Sequence, residues 1–123
     1  MTVEPNAEQF AQVAALAGTD ADGPVVMLNL NRYRDREAYA RYGKVAAAVL
    51  ERVGGRILWY TQAKLTVVGD EAYDEVIAVW YPSLSAFSAL ATDPEILEAS
   101  AHRLDGLERA ALICCEPGFQ ANS

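Results

Sequence analysis

The 123 residues suffice for one domain, since a single core serves roughly 100 to 200 residues. Hydrophobic residues make up 52% and charged residues 22%, a balance that excludes general disorder. A net charge of -7 repels phosphate backbones and anionic lipid heads, so nucleic acid and membrane surfaces are excluded as first partners.

The start, Met1-Thr2-Val3-Glu4, lacks the basic and apolar regions of a signal peptide, and the run Val45 to Leu50 is too short to span a bilayer. Cys114 and Cys115 are adjacent in a predicted strand and point to opposite faces, which disfavours a disulfide between them. A cytoplasmic protein with two reduced thiols is the expectation.

In chain order, Phe10, Val13, Ala14 and Ala17 recur at helical spacing and predict a short helix over 6–17. The turn formers Gly18 to Pro24 break it. Val25 to Asn31 is the first predicted strand. Asp35 is a candidate N-cap for a helix running to about Val53, with Tyr39, Tyr42, Ala46, Val49, Leu50 and Val53 as its apolar stripe and Gly54-Gly55 as its end. Arg56 to Val68 and Tyr73 to Tyr81 are the next two strands. A helix over Leu84 to Ala91 restarts at Asp93-Pro94, with Asp as cap and Pro in the first helical position, and closes at Gly106. Ala110 to Cys115 is the last strand, and the tail from Gly118 is expected to be loose.

This order places an N-terminal helix and linker at 1–23 and an α+β domain at 24–117. The domain follows the ferredoxin-like β-α-β-β-α-β pattern, an antiparallel four-stranded sheet with its long helices on one face. The other face needs a cover, and a second copy of the chain is the expected one.

The segments Val25 to Tyr33, Tyr39 and Tyr42, Gly54-Gly55-Arg56, Tyr81-Pro82-Ser83, Asp93-Pro94-Glu95 and His102-Arg103 together resemble the small bacterial family labelled domain of unknown function thirteen-thirty (DUF1330). The resemblance covers about Pro24 to Pro117 and implies the dimeric α/β-barrel superfamily. That superfamily includes cofactor-free monooxygenases, isomerases and polyketide cyclases. Such chemistry reaches this chain only by analogy of fold.

No phosphate loop, HExxH, CxxC or GxSxG is present, and one histidine without a carboxylate cluster makes no metal site, so no cofactor and no metal is expected. Strand alternation groups Val26, Leu28 and Leu30 on one face and Met27, Asn29, Asn31 and Tyr33 on the other. The aliphatic set is expected to meet the helices, leaving the second set on the open side. There Asn29 would serve as a carbonyl or oxyanion donor and Asn31 and Tyr33 would meet a ligand; alternatively the amides bond to neighbouring strands or to the dimer mate. Trp59, grouped with Ile57 and Thr61, fits a pocket wall or an interface; Trp80 fits a core or interface.

His102 has the unperturbed pKa for acid–base work, with Glu98 one turn before it; a solvated surface histidine is the competing reading. Arg103 would bind a carboxylate or pair with a nearby acid. Tyr39 packs on the apolar helix face and can put its hydroxyl beside Asn31. Eight of the ten basic residues fall between Asn31 and Lys64, an excess that draws an anion or simply forms a solvated helix face with Glu37 and Arg41 paired. Three functions follow: a cofactor-independent enzyme acting on a small oxygenated compound in a cleft between the helix-free sheet face and the dimer partner, with Asn29 and His102 as catalytic groups, a non-catalytic ligand-binding or accessory protein, or a dimerisation module without substrate.

Overall fold

Polar side chains start every helix. In the computed structural model, which describes residues 3–118, Asn6 and Gln9 form a reciprocal capping box ahead of α1 (Ala7–Leu16). The Asp35 carboxylate accepts from the Glu37 and Ala38 amides at the head of α2 (Arg36–Arg52). Ser83 accepts from Ala86 at α3 (Leu84–Ala91), and Asp93 accepts from Glu95 at α4 (Pro94–Gly106), with Pro94 in the first turn. Gly54 at φ 81 lets the chain leave α2 through the left-handed region. The tail expected to be loose lies, apart from Gly118, outside the described residues.

The strands β1 (Val25–Tyr33), β2 (Arg56–Gln62), β3 (Glu75–Tyr81) and β4 (Leu107–Cys115) form one antiparallel sheet in the order β2-β3-β1-β4. This is the α+β, ferredoxin-like arrangement expected from the sequence. The second strand is shorter than its apolar composition predicts. Pairing closes where the Ala63 amide donates to the Asp74 carbonyl at 2.9 Å, and Leu65, Val67 and Val68 lie beyond it in an exposed loop. Conversely, β4 begins at Leu107, which is buried directly after the end of α4.

The faces of the sheet correct the sequence reading. Val25 and Met27 pack with Val49 and Leu50 of α2, Tyr81 of β3, Leu84 and Leu90 of α3 and Ile96 of α4. The set Met27, Asn29, Asn31, Tyr33 therefore points under the helices, and Val26, Leu28 and Leu30 lie on the open face. A bulge makes the second correction. The register of β2 against β3 shifts between Ile57 and Trp59, so Ile57 pairs with Val79 on the helix side while Trp59 pairs with Ala78 on the open side. Ile57 and Trp59, expected on one face, thus lie on opposite faces.

The open face carries Leu28, Trp59 and Ile113 along one cross-strand row, with Ile113 and Trp59 about half exposed. Gly106 fixes how closely α4 approaches α2. Its carbonyl accepts from the Arg34 and Asp35 amides, at 2.7 and 3.2 Å, and a Cβ there would lie 2.6 Å from the Tyr39 amide nitrogen. Among the described residues no helix is long and apolar enough to cross a membrane.

Candidate functional site

Between α2 and the helix-facing side of the sheet lies a cavity of about 450 Å³. Met27, Ala46, Leu50, Val79, Phe87 and Leu90 line its inner part, and Ile57, Tyr60 and Leu112, all about half exposed, stand at its rim. The size falls in the range of small-molecule sites, roughly 300 to 1,000 Å³. Its charged lining residues, among those described, are Glu75 and Arg36.

Glu75 is the most informative of these. It is 1% exposed at the first position of β3, in line with Ile77, Val79 and Tyr81 on the helix-facing side. A buried carboxylate is costly unless hydrogen-bonded or paired. Here the Asn31 amide donates to its Oε2 at 2.7 Å, and the Tyr33 hydroxyl donates to its Oε1. No cation lies within ion-pair reach of it among the described residues. Sequence reasoning missed this residue. The available signal was an acid in register with three apolar residues of a core strand.

Asn31 uses its second amide hydrogen on the Tyr39 hydroxyl at 3.1 Å, so Glu75, Asn31 and Tyr39 form one chain of hydrogen bonds. Tyr39 accepts there, which leaves its own hydroxyl proton to donate into the cavity that it lines. The Tyr33 and Tyr39 rings meet at 5.8 Å, as do Tyr39 and Tyr42. Burial raises the pKa of the Tyr39, Tyr42 and Tyr81 hydroxyls; for Tyr33 burial comes first and the hydrogen bond to the Glu75 carboxylate adds. All four phenols stay protonated donors near neutrality.

Arg36 stands over the Tyr33 ring, its guanidinium carbon 4.7 Å from the centroid, and donates to Gln62 Oε1 at 3.1 Å. It has no acidic partner among the described residues. Elsewhere the basic excess is dispersed. Arg32 pairs with Glu108 and Arg52 with Glu95, each at 2.9 Å, and Arg56 lies 5.0 Å over the Trp80 ring.

The structure thus brings together Asn29, Asn31, Tyr33 and Tyr39 and separates the other candidates. Asn29 lines the cavity, but its amide group donates to the Met27 carbonyl at 3.2 Å and the Ile77 carbonyl at 3.5 Å, within the sheet. Trp59 lies on the open face. His102 lies in a shallow groove between α2 and α4 with Lys44 and Glu98, outside the cavity, and makes no hydrogen bond to Glu98. Arg103, on α4, donates to the Val3 carbonyl; its charge also opposes the rise in the Tyr39 and Tyr42 pKa. Among the described residues no three His, Cys, Asp or Glu side chains converge as a metal-binding group.

Residues 24–116 match the family model described as domain of unknown function (DUF1330). The chain belongs to the DUF1330 family. Among solved structures, a protein of unknown function from Rhodopseudomonas palustris is 38% identical, with a TM-score of 0.86 over 96% of this chain and 98% of that one. A dimeric protein of unknown function with a ferredoxin-like fold from Bacteroides fragilis is 16% identical, with a TM-score of 0.55 over 76% of this chain and 96% of that one. SnoaB, a cofactor-independent oxygenase from Streptomyces nogalater, is 13% identical, with a TM-score of 0.61 over 82% of this chain and 99% of its own. The latter two establish likeness of fold alone for this DUF1330 member. No curated protein matches it at a significant level.

Proposed function

We infer that this DUF1330 protein is an enzyme of the cofactor-independent type, acting on a small oxygenated organic compound. Its site is the cavity between α2 and the sheet, so each subunit carries its own. The observation that carries this reading is a buried carboxylate at the polar end of a cavity whose inner wall is apolar. Hydrophobic replacement of such a buried polar group is often more stable, whereas held carboxylates in a cleft recur at sites that move protons. Isomerase, cyclase-like and monooxygenase chemistries all begin with such a proton transfer, and the cofactor-independent oxygenase among its structural neighbours adds weight.

In this reading Asn31, Tyr33 and Tyr39 orient the polar end and Asn29 shapes it; His102 and Arg103, on α4, do not line the cavity. The working form is a homodimer joined through the open sheet face, where Leu28, Trp59 and Ile113 would otherwise meet water, as the dimeric neighbour of the same fold supports. Free thiols at Cys114 and Cys115 fit a cytoplasmic setting.

Native mass spectrometry of the wild-type protein and of Ala46→Trp, which fills the cavity, tests the reading. The expected result is a dimer that retains or takes up a small organic molecule in the wild type and not in the variant. Equal uptake by both would place the ligand elsewhere and overturn it.

A further inference from the structure

The polar end of the cavity is organised as more than a patch of compatible groups. Three functions stand side by side. Glu75 presents a carboxylate whose two oxygens are each held by one donor, Asn31 and Tyr33, and each oxygen keeps lone-pair capacity for a further proton. Tyr39, linked to the same carboxylate through Asn31, has a hydroxyl proton to give. Arg36, stacked on the Tyr33 ring that contacts Glu75, presents a guanidinium with no acidic partner among the described residues. Beyond them the wall is apolar, from Met27 and Leu50 to Phe87 and Leu90.

We propose that this end of the cavity is a proton-transfer site for a small 2-oxo acid with an apolar body: Glu75 takes a proton from the carbon beside the ketone, Tyr39 hydrogen-bonds the resulting enolate oxygen, and Arg36 holds the substrate carboxylate. The assignment rests on the reading of the cavity as a small-molecule site and gives it a substrate class. In the step, the C–H bond breaks and an O–H bond forms on Glu75. The electron pair becomes the enolate carbon–carbon double bond, and the carbonyl pair moves to the oxygen facing Tyr39. Return of the proton to the oxygen or the carbon completes a tautomerisation that needs no oxidant or reductant.

The chemistry explains each group. A carboxylate shielded from water is a usable base for a carbon acid only if the developing oxyanion has a donor. The Tyr39 hydroxyl is kept protonated by its burial and so supplies that donor. The guanidinium fork matches a carboxylate, and its seat at the exposed start of α2 puts the anionic end of the substrate at the mouth and the apolar body inside.

Phenylpyruvate in D2O is the probe, with two readouts: loss of its methylene proton signal, and displacement of the Met27 methyl resonance inside the cavity. The wild-type protein is expected to accelerate deuterium exchange and to shift Met27. Glu75→Gln should lower exchange by about 100-fold or more while Met27 still shifts. Tyr39→Phe, which keeps the ring packing, should lower it by roughly 10-fold or more, and serves if the Gln variant does not fold. Arg36→Met should weaken phenylpyruvate binding about 10-fold while leaving the neutral ketone acetophenone unaffected. Exchange at the buffer rate despite a Met27 shift, or full exchange in both Glu75→Gln and Tyr39→Phe, would overturn the proton-transfer assignment and leave the cavity standing. Acetophenone shifting Met27 where phenylpyruvate does not would overturn the anionic substrate. If neither compound shifts it, the small-molecule reading itself falls.

Discussion

The two faces of the sheet are both largely apolar, yet they are built for different ends. The helix-facing side mixes Met27, Val79 and Tyr81 with the buried pair Asn31 and Glu75, and α2 stands far enough away to leave a cavity. The open side is plainer, Val26, Leu28 and Leu30 flanked by Trp59 and Ile113, and among the described residues no helix covers it. Polar groups went to the covered side because two distant segments supply their partners there. Burial selects for satisfied polar groups, whereas a face awaiting a partner surface selects for plain apolar area.

Substitutions can break this comparison in order of size. Leu50→Ala on the covered side should cost about 2 to 5 kcal/mol in denaturant unfolding, because it packs with Val25 and Met27 and enlarges an existing void. Asn31→Ala should cost about 1 to 3 kcal/mol, since it strips one Glu75 oxygen and the Tyr39 hydroxyl of their shared donor. Gly106→Ala is expected to cost about 1 to 3 kcal/mol, as its methyl would meet the Tyr39 backbone; it should also broaden Tyr39 ring signals in NMR spectra. Trp59→Glu, on the open side, should leave the monomer's unfolding within about 0.5 kcal/mol and instead shift the sedimentation profile from dimer to monomer. A stable dimer in that variant would mean that the open face is not the contact.

The smallest effect concerns acid. The Asp22 carboxylate accepts from the Gly18 amide and from the Leu84 and Ser85 amides, which holds its pKa at about 2, below the ordinary 3.8. A depressed folded-state pKa contributes stability that is present above 3.8 and lost as pH falls through about 2. Asp22→Asn should therefore lower stability above about pH 3.8, flatten acid unfolding between those values, and converge with the wild type near pH 2.

What the sequence disclosed divides along the same line. Asp35 and Asp93-Pro94 were readable as helix starts because a cap bonds only within its own first turn. The four strands were readable in order because turn formers separate them. The facing of β1 was not readable, since alternation yields two sets without saying which one is covered. That choice depends on Tyr39, eight positions from Asn31, and on Glu75, forty-four positions away. Glu75 escaped notice for the same reason: an acid beginning an apolar strand looks like a solvated edge until Asn31 and Tyr33 are brought to it. His102 drew attention by its intrinsic pKa, a property of the residue type that carries no position.

The bulge at Leu58 gives β2 an uneven tolerance to change in length. Leu58 is the extra residue between Ile57, paired with Val79, and Trp59, paired with Ala78, so deleting it would close the ladder into regular pairing with Trp59 still on the open face and Tyr60 still at the cavity rim. Point substitutions along the strand alter one contact at a time. A codon loss at the bulge is therefore absorbed, whereas one beyond Trp59 would turn the residues after it to the opposite face and exchange cavity wall for open face in one event.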